Sequence, residues 1–140
     1  MYIFYALAGA VAASLGTIFA KFGLKGVDSN LLTSLRGVVM AVIVTLAALL
    51  LGRLDQAAMS ALTAKQWMYI ILSGAGGALS WLFFYYALAN GPTVSVTVID
   101  KLSIVLTAVL AVVVLGEGIT LRAALGLVLV VAGTLLVAIK

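Results

Sequence analysis

Cysteine and histidine are both absent from the 140 residues. Without thiols there is no disulfide framework and no thiolate nucleophile, and without imidazole the usual zinc and haem ligands are missing. Redox and most metal chemistry are therefore not expected, and no metal site or cofactor is assigned. Charge is scarce too: charged residues make up 9% of the chain, and only four are acidic. With no histidine, cysteine or paired carboxylate there is nothing on which to build acid–base chemistry, so an enzyme is not expected. Proline occurs once, in the break Asn90-Gly91-Pro92.

What fills the chain is apolar. Hydrophobic residues make up 66% of it and mean hydropathy is +1.35, beyond the range of a soluble domain. The expectation is an all-α membrane protein surrounded by the lipid bilayer. Crossing the hydrocarbon takes roughly 20 apolar residues, and five stretches qualify, at about 2–24, 30–51, 64–89, 93–115 and 121–139. No linker is long enough to divide them, so residues 1–140 read as one domain. The first stretch lacks a basic leader and runs a full span, which reads as a retained helix and not a cleaved signal peptide. The net charge of +4 comes from basic residues at the ends of apolar runs, where they anchor helices, so no nucleic-acid partner is read from it.

Local signals mark the helix ends. Asp28-Ser29-Asn30 is cap chemistry for the second helix, and Thr63-Ala64-Lys65-Gln66 has the form of a capping box for the third, after a polar linker over residues 53–66. Gly116 is placed to cap the fourth helix and Thr120 to start the fifth. Small residues mark helix-packing candidates. Gly9 and Gly16 lie in a stripe with Ala6, Ala10, Ala13, Thr17 and Ala20; Gly74 and Gly77 lie in the run 73–78; Gly126 and Gly133 lie one heptad apart, suited to contact within the chain or across a dimer. The 73–78 run is followed at once by Trp81, Phe83, Phe84, Tyr85 and Tyr86. A small-residue gap beside aromatics suits an apolar pocket, though core packing or interfacial anchoring explains it better.

The fourth apolar run carries Asp100-Lys101. Ionisable groups at membrane depth cost a few kcal/mol each on insertion scales, and their default reading is functional. At ~1.5 Å per residue, Arg36 lies roughly 9 Å and Asp100 roughly 12 Å from the same side, so they are able to meet. Lys101 is about 100° round a regular helix from Asp100, so the two are not expected to face the same spot. Lys21 is expected to snorkel to the surface. Asp100 then has two readings, an internal salt bridge to Arg36 or Lys101, or a binding or proton-coupling group. Arg36, Asp100 and Lys101 together are net positive by one, which favours an anionic or zwitterionic small-molecule substrate.

Five spans put the two ends of the chain on opposite sides. The flanking basic residues are Lys21, Lys25 and Lys140 on one side against Arg53, Lys65 and Arg122 on the other. Orientation is normally set by a basic excess in cytoplasmic loops, and this tally is level, so insertion in both orientations is expected.

The ordered run Tyr86-Ala87-Leu88, Gly91-Pro92, Leu115-Gly116-Glu117, Gly126 and Gly133, with Arg36 near the start of the second helix, resembles the EamA domain of the drug/metabolite transporter superfamily. It looks like the single five-helix bacterial and archaeal branch. The resemblance implies one half of an inverted-repeat transporter: a secondary carrier, exporter or exchanger, of a small metabolite in a prokaryotic plasma or inner membrane. Because five is odd, a lone unit recreates the inverted pair as an antiparallel homodimer. Asp100, Lys101, Arg36, Trp81 and Tyr85 are the residues expected in or beside the pathway. A fainter likeness, through Gly16-Thr17, Lys21-Phe22 and Pro92-Thr93, is to small multidrug resistance proteins, but Ala13 stands where those carry an essential glutamate, so their exchange mechanism does not carry over. Many EamA domains have a proline within the fourth helix; Asp100 to Ile104 has none, so no proline-driven break is expected there. The competing functions are a non-transporting membrane assembly subunit and a channel, the latter lacking a continuous polar stripe.

Overall fold

The computed structural model describes residues 2–138; Met1, Ile139 and Lys140, the last a member of the charge tally, lie outside the described residues. The elements are α1 (Tyr2–Gly23), α2 (Ser29–Leu50), α3 (Gln56–Ser60), α4 (Ala64–Asn90), α5 (Thr93–Asp100), α6 (Leu102–Leu115) and α7 (Leu121–Ala138), with no strand among the described residues. Five stretches are long and apolar enough to cross a membrane: α1, α2, α4, α5 with α6, and α7. Most large apolar side chains point outward, as they do where lipid and not water is the solvent.

The ends form for reasons visible atom by atom. The Oδ1 of Asp28 accepts the backbone N–H of Asn30 (2.9 Å) and Leu31 (3.0 Å), satisfying two orphan donors of α2. The capping box before α4 is closed in both directions: Thr63 N–H donates to Gln66 Oε1 (2.8 Å) and Gln66 N–H to Thr63 Oγ1 (3.3 Å). Gly116 takes φ 68°, which lets Glu117 N–H reach back to the Ala111 carbonyl at 3.2 Å, a Schellman closure of α6. Thr120 Oγ1 accepts from Ala123 N–H at 3.2 Å at the start of α7. The stretch 53–66, expected as linker, contains α3. Gln56, Ala57 and Met59 are good helix formers, and the Asp55 carbonyl accepts Met59 N–H at 3.1 Å.

The chain forms two compact units, Met1–Ala89 and Asn90–Lys140. In the first, the C-terminal half of α1, the N-terminal half of α2 and the C-terminal half of α4 supply the buried residues Ala20, Ser29, Thr33, Tyr85 and Leu88. Leu88 is fully buried, and its carbonyl lacks the usual donor four residues on because residue 92 is proline. Lys21 Nζ donates to that carbonyl instead. Lys21 therefore does not simply snorkel; it is held inward by a helix C-terminus whose partial negative charge favours a cation. Where α1 meets α2, a Cβ on Gly23 would lie 2.9 Å from Leu32 Cδ1, so a larger residue there would have to displace the end of the Leu32 side chain. In the second unit α7 packs on both α5 and α6. Its one buried residue, Thr134, has its hydroxyl 2.8 Å from the Val130 carbonyl in its own helix and 3.4 Å from the Val98 carbonyl of α5.

Candidate functional site

Two polar features lie at membrane depth, one in each unit. In the second unit the fourth span, expected to be continuous, divides at Lys101 without a proline. Lys101 N–H donates to the Val98 carbonyl at 3.1 Å and Ile104 N–H to the Lys101 carbonyl at 3.0 Å, the tight three-residue spacing that interrupts an α-helix. The preceding sequence explains the weakness. Thr93-Val94-Ser95-Val96-Thr97-Val98-Ile99 is made entirely of β-branched residues and serine, which hold a helix poorly or offer its backbone other hydrogen bonds. Thr134 supports the break by approaching the Val98 carbonyl, while Thr97 Oγ1 is buried with no hydrogen-bond partner among the described residues.

The break also changes what faces what. Lys101 Nζ lies 3.3 Å from Asp100 Oδ2, with side chains 52% and 34% exposed on the isolated chain. The expectation that these two residues would diverge is corrected: it assumed regular helix geometry, whereas a ψ of −10° at Lys101 and a long flexible stem bring the ammonium back to its neighbour. Lys101 is thus one of the two salt-bridge partners that the sequence offered Asp100.

In the first unit Arg36 reaches from α2 across to α4. Its guanidinium carbon is 5.0 Å from the Tyr85 ring centroid and 5.7 Å from that of Trp81, both cation–π distances. Tyr85 is 3% exposed and stacks edge-on with Phe84 at 5.2 Å. On its other side the guanidinium lies against α1, where a Cβ on Gly16 would stand 3.4 Å from Nη2. The Nη1 atom is buried without a hydrogen-bond partner among the described residues.

Beside Arg36 a groove of about 460 Å³ runs between α2 and α4, lined by Thr33, Ser34 and Gly37 on one wall and Gly74, Gly77, Ala78, Trp81 and Leu82 on the other. It lies where the small-residue run meets the aromatic cluster, and its volume is within the ligand-pocket range of roughly 300–1,000 Å³. Thr33 uses its hydroxyl on the Ser29 carbonyl at 2.6 Å, so the walls are largely apolar.

Of the residues singled out in the sequence, Arg36, Trp81 and Tyr85 are brought together, and Asp100 and Lys101 are paired. Gly74 and Gly77 open onto the groove and Gly16 receives Arg36, whereas a Cβ on Gly9, Gly126 or Gly133 would meet nothing within 4 Å. The sequence reading passed over Thr33, Ser34 and Gly37. Their signal was present: small residues at positions i and i+4 flank the one arginine of that helix.

Five apolar spans, a fourth that breaks around an ion pair, and a groove between helices define a polytopic membrane protein. The chain belongs to the EamA-like transporter family, whose model matches residues 1–139. It is 35% identical over 136 residues to a Sinorhizobium protein described as "Uncharacterized transporter in cobO 3'region", covering 97% of this chain and 95% of that one. No solved structure matches the chain. It is therefore a multi-pass membrane transporter of small molecules and not an enzyme, in contact with lipid and with its substrate.

Proposed function

We propose that the protein is a secondary carrier that exports or exchanges a small metabolite across a prokaryotic plasma or inner membrane. It works as an antiparallel homodimer, with Asp100, Lys101, Arg36, Trp81 and Tyr85 in or beside the pathway. The observation that carries this reading is the interrupted fourth span. Backbone irregularity at membrane depth is tolerated only where protein or a water-filled cavity covers it, and discontinuous helices are where carriers place substrate and coupling-ion sites. Here the interruption bears an ion pair that is partly exposed on the isolated chain, so a second copy or an aqueous path must shield it from lipid. The parity of the spans supports the dimer, since five helices supply only one half of an inverted pair.

The test is a ligand-induced thermal-shift screen of the purified protein over metabolites, each hit then assayed for flux in proteoliposomes. A stabilising metabolite that crosses only protein-containing vesicles supports the carrier. Stabilisation without flux for every hit sinks it in favour of a non-transporting membrane subunit.

A further inference from the structure

We infer that Arg36 anchors the carboxylate of an organic anion whose apolar body lies in the groove between α2 and α4. The inference rests on the carrier reading and names the class of molecule carried.

The argument is one of charge. Only four acidic residues exist in the chain. Asp28 is occupied at the start of α2, Asp100 pairs with Lys101, and Asp55 and Glu117 lie in the loops before α3 and after α6. The Nη1 donor of Arg36 is buried without a hydrogen-bond partner among the described residues, and the acidic residues of its own unit are only Asp28 and Asp55. Contact with Trp81 and Tyr85 offsets part of the cost of the cation, but it satisfies no N–H donor. A guanidinium seated against aromatic rings keeps its N–H edge for other groups, and a carboxylate is the group that such an edge binds through two parallel hydrogen bonds. The adjoining groove fixes the remainder of the ligand. Trp81 belongs both to its wall and to the arginine contact, so the groove and the cation share that ring. Gly37, Gly74, Gly77 and Ala78 leave the space open, and Ser34 is the hydroxyl at its edge. The complementary ligand has one negative end and an apolar or aromatic body. A lipophilic cation meets repulsion at Arg36 and finds no carboxylate on the groove walls.

Binding is read from Trp81 fluorescence in the full chain in nanodiscs. The chain has two tryptophans, and Trp67→Phe removes the one outside the groove. The probes are 3-phenylpropionate and hexanoate, each against its own amide. The expected result is saturable binding of the carboxylates at least roughly tenfold tighter than the amides, the worth of a charge-assisted hydrogen bond, with Arg36→Gln abolishing the difference and Arg36→Lys keeping part of it. Equal affinity for acid and amide, discrimination that survives Arg36→Gln, or no response to either carboxylate overturns the inference. Should Arg36→Gln fail to fold, Gly37→Leu fills the groove from the opposite wall; carboxylate binding should then vanish with Tm retained, and its persistence counts against the site. Counterflow of the bound carboxylate in proteoliposomes separates the two readings. Binding without flux sinks the carrier and leaves the anion anchor, while flux without acid–amide discrimination does the reverse.

Discussion

Lys101 Nζ stands 3.3 Å from Asp100 Oδ2, so that two adjacent residues of an apolar span neutralise each other where the helix breaks. In water so exposed a pair is worth about 0–1 kcal/mol. At membrane depth the alternative to pairing is a lone charge at about 2.5–3.5 kcal/mol on insertion scales, so the break and the pair sustain each other. Asp100→Asn or Lys101→Gln alone should lower thermal stability in nanodiscs, and the double variant should recover most of it. If the pair serves only to hold the span, flux returns with stability. A carrier that uses Asp100 gives a double variant that is stable and inactive, and full recovery of flux would remove Asp100 from the mechanism.

Lys21 makes a second prediction through the carbonyl that Pro92 leaves without a donor. Replacing Lys21 with Met keeps much of the apolar stem but leaves the buried Leu88 oxygen unsatisfied, a loss of about 1–3 kcal/mol. Lys21→Arg, still able to donate, should lose less. Thermal unfolding measures the difference. Equal stability of Lys21→Met and the wild type would mean that the carbonyl finds another donor.

Much of this was legible in the sequence, and the reasons are specific. Span positions follow from run length, and the caps follow from side chains that bond to backbone two or three residues away, so Asp28, Thr63 with Gln66, Gly116 and Thr120 were readable one by one. The break at Lys101 was not, because no proline marks it. The cause lies in a β-branched segment with a supporting threonine thirty-odd residues downstream. The partner of Lys21 was hidden for a similar reason: the donor missing at Pro92 is local, but the group that replaces it comes from another helix. The aromatic half of the groove was visible as composition, while its α2 wall depended on which face of that helix turns toward α4.

Gly16 tests the seat of Arg36. A Cβ there would stand 3.4 Å from Nη2, so alanine is just accommodated, whereas Gly16→Val drives a branched side chain into the guanidinium. Overpacking of this kind typically costs about 1–3 kcal/mol. Gly9→Val, on the same helix with nothing within 4 Å, is the control and should leave the protomer unchanged. Equal Tm for the two valine variants would show that Arg36 moves aside freely.

Gly126 and Gly133 separate contact within the protomer from contact across a dimer. A Cβ at either meets nothing within 4 Å, so a side chain at both positions starts into open space on the protomer itself. If this glycine face of α7 approaches a second copy, the double leucine variant should shift the population to monomer by about tenfold in concentration, an ordinary effect for small residues at a helix interface. Cross-linking across a dilution series in lipid measures it. Loss of stability at every dilution would place the contact within the chain, and an unchanged dimer would place the interface elsewhere.

Orientation is the last consequence of the sparse charge. The basic residues flanking the spans divide evenly between the two sides, and an even division gives the insertion machinery no preference. The proposed antiparallel homodimer would need chains in both orientations in one membrane, which the absent bias and the odd number of spans both favour. Single cysteines at Val27, between α1 and α2, and at Leu54, between α2 and α3, replace exposed residues in a chain that has no cysteine of its own. Each should label with a membrane-impermeant maleimide from both faces, in roughly equal halves if the tally alone decides. Adding two lysines beside Leu54 should drive labelling at both sites toward one orientation and reduce flux, with recovery on co-expression of a copy biased the opposite way. Uniform one-sided labelling of the unbiased protein would sink the antiparallel dimer while leaving the five-span fold intact.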